Sequence, residues 1–135
     1  MDITVKNLQS SIPVPVSKIK ITDSKVCRSL KLSHSFSEIS ITFVGTKRMR
    51  SVNKKYLGHD YVTDVITFDL EGTAEILICP QVARRNAKAH EAPLAQELLL
   101  YVVHGLLHLA GYDDHSPEDI KKIRLKEKQL LENLR

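Results

Sequence analysis

Three histidines fall in one short stretch of the 135-residue chain, at His104, His108 and His115. His104 and His108 are four residues apart in a strongly apolar segment with helical character, so their side chains share one helix face. Two unpaired imidazoles are costly in such surroundings, and a shared metal ion would satisfy both. Gly111 ends the predicted helix and lets the chain turn back, which directs His115 toward the pair.

This pattern predicts a zinc site. Three protein nitrogens leave the fourth position of a tetrahedral ion open to water, as in catalytic zinc sites. Imidazole favours Zn, Ni, Cu or Fe over Mg or Ca, and zinc suits a cytosolic hydrolase without redox motifs. We therefore expect one Zn²⁺ per chain. A histidine pair alone is a weak indication, because buried histidines more often hydrogen-bond to the backbone; the third His and the helix-ending Gly strengthen it.

The elements that must position these residues are predicted from hydrophobic periodicity. Period-2 patterns predict four strands, the last two joined in a hairpin around Gly72, over residues 3–8, 38–44, 63–70 and 74–79. Helical spacing predicts five helices, over residues 16–32, 46–57, 80–90, 93–110 and from the N-cap Ser116 to about residue 134. The fold class expected is α+β, with one mixed sheet of about four strands packed with about five helices in a single domain, residues 1–135.

Three details of the helices are also predicted. Thr46 is expected to cap the second helix. That helix is expected to face the core with Met49, Val52 and Tyr56. The last helix is expected to bury a stripe formed by Ile120, Ile123, Leu130, Leu131 and Leu134.

Composition favours a soluble globular protein, with 42% hydrophobic and 27% charged residues. The first ten residues are polar and mixed, without the apolar region of a signal peptide. Cys27 and Cys79 lie far apart, which indicates free thiols in a reducing cytosol. Histidines and Glu97 interrupt the most apolar segment, residues 94–109, which favours a buried helix over a membrane span. We expect a cytoplasmic protein without a membrane partner.

Positive charge is concentrated in the first part of the chain. Residues 1–55 hold 11 Lys/Arg and 3 Asp/Glu, against 9 and 13 in residues 56–135. Such asymmetry suits a protein that meets a polyanion on one side. The best phosphate-binding cluster is on the predicted helix 46–57, with Arg48, Lys54 and Lys55 as candidates beside Lys47 and Arg50. The alternative is an ordinary solvated helix face.

The stretch HGLLHLAGYDDH, residues 104–115, resembles the signature H-G-x-L-H-L-x-G-Y-D-H of the YbeY family of bacterial endoribonucleases. NKKYLGHDYVTDVITF, residues 53–68, is similar to the family block N-x-x-Y-R-x-K-D-x-x-T-D-V-L-S-F, and EILIC, residues 75–79, to the strand that follows. The resemblance covers roughly residues 38–130. It implies a single-strand-specific endoribonuclease of 16S rRNA 3′-end maturation and ribosome quality control. The implied partners are rRNA and the small ribosomal subunit, with ribosomal proteins or assembly GTPases as further candidates.

The chain departs from the family pattern at two places. The pattern has its third His ten residues after the first, whereas His115 is eleven after His104. His115 is kept as the predicted third ligand, with Asp113 or Asp114 as the alternative, since carboxylates also bind zinc. Leu57 occupies the position of a family Arg that the resemblance links to the RNA backbone or the transition state. Either Arg48, Lys54 or Lys55 supplies that function, or the function is weakened in this chain.

The expected nucleophile is zinc-bound water, with Asp113, Asp114 or Asp64 as acid/base candidates. The two aspartates of the turn could instead orient a ligand imidazole or simply be solvated, and Asp64 could hydrogen-bond beside a strand. Two other functions remain open: an rRNA- or ribosome-binding assembly factor with a mainly structural zinc, and a metallohydrolase acting on another substrate. A protease is not supported, because Gly105 stands where zinc proteases carry their Glu base.

Overall fold

The structure is a computed structural model that describes residues 1–134. Its strands are β1 (Asp2–Asn7), β2 (Glu38–Phe43), β3 (Val65–Asp69) and β4 (Thr73–Ile78). Its helices are α1 (Val16–Ser29), α2 (Thr46–Leu57), α3 (Pro80–Ala89), α4 (Leu94–Leu109) and α5 (Pro117–Asn133). These elements confirm the predicted α+β class. Arg135, the last residue of the predicted domain 1–135, lies outside the described residues.

The four strands form one mixed sheet in the order β1-β2-β4-β3. β1, β2 and β4 are parallel, and β3 pairs antiparallel with β4 as the predicted hairpin requires. In this register Ile41 lies opposite Ile76, and Ile76 lies opposite Thr67. Because side chains alternate along a strand, these three residues point to the same face of the sheet.

That face carries the main hydrophobic core, and α4 is its central helix. Leu98, Val102 and Leu106 of α4 belong to the same buried cluster as Ile76 and Phe43 of the sheet. Each fully buried aliphatic or aromatic side chain contributes about 1.5–3 kcal/mol relative to an exposed one. The opposite face holds a smaller cluster that includes Met49 of α2 and Val82 of α3.

Gly105 allows α4 to approach the sheet closely. A Cβ atom at this position would lie 3.0 Å from two carbons of Ile76 and 3.3 Å from Thr67 Oγ1. Ile76 is fully buried and cannot move away at low cost in a close-packed interior. The absence of a side chain at Gly105 therefore places the neighbouring His104 beside β3.

Four details of the sequence prediction are wrong. Tyr56 is 60% exposed, because it lies over the less covered sheet face with its ring edge against Phe68. Ile120 is 42% exposed, since the first turn of α5 directly follows the exposed residues 113–115. Thr46 does not cap α2; its backbone N–H donates to Gln81 Oε1 at 3.1 Å. The first helix ends at Ser29 because Lys31 adopts a left-handed conformation with φ 54°.

The apolar composition of α4 is explained by its burial in the core. Within residues 1–134, no single helix is long and apolar enough to cross a membrane. Only α3 and α4 taken together reach that length, and they are bent by 116° at the break between them. Cys27 and Cys79 are both buried and free, as the sequence predicted.

Candidate metal centre

His104 and His108 meet at the C-terminal end of α4, as their spacing predicts. Their Nε2 atoms are 3.0 Å apart and their rings are nearly perpendicular, with an interplanar angle of 86°. Their side chains are 15% and 25% exposed, respectively. Both imidazoles therefore lie at the base of a surface depression that solvent can reach.

The hydrogen bonds of the two rings determine which nitrogen carries the proton. His104 Nδ1 donates to Glu127 Oε1 at 3.2 Å, and His108 Nδ1 donates to the Tyr112 carbonyl oxygen at 3.1 Å. Because both partners are acceptors, the Nδ1 atoms carry the hydrogens and the Nε2 atoms of neutral rings present lone pairs. Two lone pairs that face each other at this distance repel unless a cation lies between them.

A divalent metal ion fits this pair. Two imidazole nitrogens on one tetrahedral zinc ion are about 3.3 Å apart, given Zn–N bonds of about 2.0–2.1 Å. The observed separation of the Nε2 atoms, 3.0 Å, is close to that value. The hydrogen bond to Glu127 is also the kind of outer contact that orients metal-ligating histidines.

Asp114, and not His115, lies beside the two Nε2 atoms. Asp114 Oδ2 is 3.6 Å from the Nε2 atoms of both His104 and His108, which makes these three residues a possible metal-binding group. His115 is 85% exposed and lines the same cleft; its Nε2 lies 3.3 Å from Asp113 Oδ1, in a second possible metal-binding group that shares Asp114 with the first. The turn after α4 is one residue longer than in the family pattern. Asp114 therefore occupies the position ten residues after His104, where the pattern has its third His. His115 as a ligand stays a prediction. Asp114, one of the predicted carboxylate alternatives, lies close enough to both histidines to share a metal ion with them.

A cleft of about 720 Å³ opens over the two histidines. Its walls come from the end of α2, from β3 and from α5, and include Leu57, Asp64, Thr67, Asp69 and Arg124. Asp64 lines this cleft while its Oδ1 accepts a hydrogen bond from the Val65 backbone N–H at 2.7 Å. The predicted acid/base candidates Asp64, Asp113 and Asp114 thus share one cleft with the histidine pair.

Sequence reasoning missed Glu127 and Arg124. The Glu127 side chain is only 3% exposed and accepts hydrogen bonds from both His104 Nδ1 and Arg124 Nη1. One indication was present in the sequence: Glu127 is four residues after Ile123 and three before Leu130, so it occupies the buried face of α5. A carboxylate at such a position needs a partner, and His104 is that partner.

A smaller pocket of about 210 Å³ adjoins the cleft and shares Asp64, Val65, His104 and Arg124 with it. Asn86 Nδ2 donates to the Tyr101 hydroxyl at 2.6 Å within it, and His90 Nδ1 is 3.1 Å from Glu97 Oε1. Burial raises the pKa of Tyr101, so its hydroxyl stays protonated at neutral pH. The pocket therefore places the Tyr101 hydroxyl and the Asn86 amide beside His104, together with the charged side chains of Asp64, Glu97 and Arg124.

Comparison with known proteins assigns this chain to a family. The family model described as Endoribonuclease YbeY matches residues 4–135. The chain belongs to the YbeY family. Endoribonuclease YbeY of Chlorobium luteolum is 35% identical over 127 residues, which cover 85% of this chain and 90% of the relative. Endoribonuclease YbeY of Syntrophus aciditrophicus is 31% identical, over 96% of this chain and 88% of the relative.

A solved structure shares the YbeY-like fold. The solution structure of a Thermotoga maritima protein superimposes with a TM-score of 0.67 and 27% identity, covering 98% of this chain and 88% of that one. The predictions of the YbeY family and of an endoribonuclease, a hydrolase that acts on RNA, are confirmed by these matches.

The basic residues of α2 lie outside the cleft that opens over His104 and His108 (the metal cleft). Arg50 Nε and Lys54 Nζ contact the two carboxylate oxygens of Asp60 at 2.8 and 3.9 Å, and the Arg50 hydrogen bond lowers the pKa of Asp60. Lys55 Nζ lies 5.2 Å from the Tyr56 ring centre. Arg48 lines a groove of about 470 Å³ between α2 and the sheet. Only Leu57, at the end of α2, reaches the metal cleft, and the RNA-binding role of Arg48, Lys54 and Lys55 stays a prediction.

Proposed function

We propose that this YbeY protein is a zinc-dependent endoribonuclease specific for single-stranded RNA, acting in 16S rRNA 3′-end maturation and in ribosome quality control. The observation that carries the proposal is the pair of facing Nε2 atoms of His104 and His108, 3.0 Å apart in an open cleft. Their fixed tautomers leave both lone pairs available for one cation.

The protein's own residues have separate tasks in this proposal. His104 and His108 would hold the ion, and the third ligand would be Asp114, whose Oδ2 lies 3.6 Å from both Nε2 atoms, or His115. A bound zinc ion lowers the pKa of a coordinated water and polarises a phosphoryl oxygen. Asp64 or Asp113 accepts the proton of the attacking water. Glu127 holds the His104 ring in its ligating orientation through Nδ1.

The open cleft favours catalysis over a purely structural zinc. Structural zinc sites are usually closed and rich in cysteine. Neither candidate metal-binding group among residues 1–134 includes a cysteine, and the histidine pair borders a cleft of about 720 Å³. A substrate phosphate would have room to reach the ion.

The proposed partners are rRNA and the small ribosomal subunit, with ribosomal proteins or assembly GTPases as further partners, in the cytoplasm and without a membrane. The basic face of α2 supports an RNA partner, because Lys47, Arg50 and Lys54 line one surface of this helix, whose last residue, Leu57, borders the cleft. Recognition would depend on backbone charge more than on base stacking, since only 5% of the residues are aromatic.

The experiment is a cleavage assay with single-stranded and double-stranded RNA, using the zinc-loaded protein and its His108→Ala variant. We expect internal cleavage of the single strand, with loss of at least about 100-fold in rate in the variant. Equal cleavage by both proteins would indicate a contaminating nuclease and contradict the proposal. If zinc removal unfolds a protein that never cleaved RNA, the zinc is structural and the assembly-factor alternative holds.

A further inference from the structure

Arg124 occupies a distinctive electrostatic position in the metal cleft. Among residues 1–134, it is the only Lys or Arg that lines this cleft. Four carboxylates line the same space, those of Asp64, Asp69, Asp113 and Asp114. A phosphodiester anion that enters would meet these negative charges, and a guanidinium group offsets part of that repulsion.

The side chain of Arg124 is held in place without using all its donors. Its Nη1 contacts both carboxylate oxygens of Glu127, at 3.2 and 3.1 Å. Nε and Nη2 form no hydrogen bond within residues 1–134, and the side chain is 62% exposed. The guanidinium is therefore open to solvent, whereas the Glu127 carboxylate that it contacts is only 3% exposed. The unused donors of a planar guanidinium are suited to the oxygens of a phosphate.

Glu127 connects this guanidinium to the histidine pair. Glu127 Oε1 accepts from His104 Nδ1 at 3.2 Å and from Arg124 Nη1 at the same distance. One buried carboxylate therefore fixes both a proposed metal ligand and a cation at the cleft wall. Only the carboxylate of Glu127 therefore separates the positive charge of Arg124 from the imidazole of His104, which would hold the ion.

We propose that Arg124 binds the phosphodiester group of the RNA strand that lies at the metal, through its free Nε and Nη2 donors. The inference rests on the proposed function for the identity of the ligand as RNA. The alternative is that Arg124 serves only to neutralise Glu127, in which case phosphate binding would not depend on it.

The test uses the zinc-loaded full chain and inorganic phosphate as the probe, measured by calorimetry. Arg124→Gln keeps an N–H donor for Glu127 and removes the charge, and Lys121→Gln is the matched control on the exposed side of the same helix. We expect Arg124→Gln to bind phosphate about 10–100-fold more weakly, as the loss of a charged hydrogen bond predicts. Zinc content and the phosphate affinity of the control should be unchanged.

A rescue variant separates binding from a structural role. Leu57 lines the cleft from α2 and is 49% exposed, so Leu57→Arg can return a guanidinium without touching α5. When Leu57→Arg is combined with Arg124→Gln, it should restore a large part of the phosphate affinity and return the KM for RNA toward that of the parent. Unchanged phosphate affinity in Arg124→Gln, or loss of its zinc, would overturn the inference.

The same measurements distinguish failure of the endoribonuclease proposal from failure of the Arg124 inference. If the parent protein binds phosphate through Arg124 but cleaves no RNA, the phosphate site stands and the endoribonuclease proposal fails. If the parent cleaves RNA and Arg124→Gln has the same KM and phosphate affinity, the endoribonuclease proposal stands and the Arg124 inference is wrong.

Discussion

Glu127 Oε1 lies 3.2 Å from His104 Nδ1, although 23 residues separate them in the chain. The carboxylate is nearly inaccessible to solvent and contacts the imidazole from the adjacent helix α5. It fixes the ring so that Nε2 faces His108. The candidate metal site is therefore built from two helices and not only from the histidine motif of α4.

This contact predicts the effect of changing Glu127. Glu127→Gln preserves the shape of the side chain but weakens the orienting hydrogen bond from His104. We expect zinc affinity to fall about 10–100-fold, the usual effect of losing such an outer contact. Competition with a chelator measures it. Glu132→Gln, an exposed position on the same helix, is the control, and equal affinities in the two variants would exclude the orienting role.

The identity of the third ligand gives a second prediction. Asp114 Oδ2 is 3.6 Å from both Nε2 atoms, whereas His115 points to Asp113. We expect Asp114→Ala to reduce zinc affinity at least about 100-fold, and His115→Ala and Asp113→Ala to change it less than about 3-fold. Metal content after dialysis against a zinc buffer measures this. A larger loss in His115→Ala would establish the ligand that the sequence motif predicts.

The helix motif made His104 and His108 predictable, since residues four apart on an apolar helix must share a face. His115 illustrates the limit of that reasoning. A turn has no fixed periodicity, so spacing alone could not decide between His115 and the neighbouring carboxylates. The role of Glu127 could not be predicted from the sequence for a different reason. Its contact with His104 depends on how α4 and α5 pack, which is a property of the tertiary structure.

The sheet was predictable from the alternation of Ile39, Ile41 and Phe43 and from the Gly72 hairpin. Tyr56 was misplaced because helical spacing shows which residues share a face but not how completely the fold covers that face. The smaller cluster on that side of the sheet leaves Tyr56 exposed.

The basic face of α2 predicts the salt dependence of RNA binding. Lys54 and Lys55 are exposed and close to the end of α2 that borders the cleft. Replacing both with Glu should weaken binding of single-stranded RNA and reduce the slope of log affinity against log salt by about 0.7 for each lost phosphate contact. Fluorescence anisotropy at several salt concentrations measures the slope. An unchanged slope would show that RNA does not contact this face.

Asp23 predicts a pH dependence of stability that is independent of the metal. Its carboxyl is fully buried, with one oxygen near the Cys27 thiol at 3.2 Å, and burial raises the pKa of Asp23 to about 6. In the unfolded chain this pKa is about 3.9. The folded state therefore holds the proton more tightly, and stability falls as pH rises from about 4 to 6.

Asp23→Asn removes this titration. As the pH rises from 4 to 7, the free energy of unfolding of the metal-free variant should increase by up to about 3 kcal/mol relative to that of the metal-free parent. Urea denaturation at several pH values measures the difference, with the exposed Asp2→Asn as the control. A constant difference between Asp23→Asn and the parent across this range would mean that Asp23 is not protonated in the folded protein near pH 5.

The central claim is that one metal ion is held between the Nε2 atoms of His104 and His108. Anomalous diffraction at the zinc absorption edge, on crystals grown with zinc, tests it most directly. We expect one strong peak at about 2.0–2.1 Å from each of the two Nε2 atoms, with Asp114 as a third ligand. A map without a peak between the two Nε2 atoms would contradict the account.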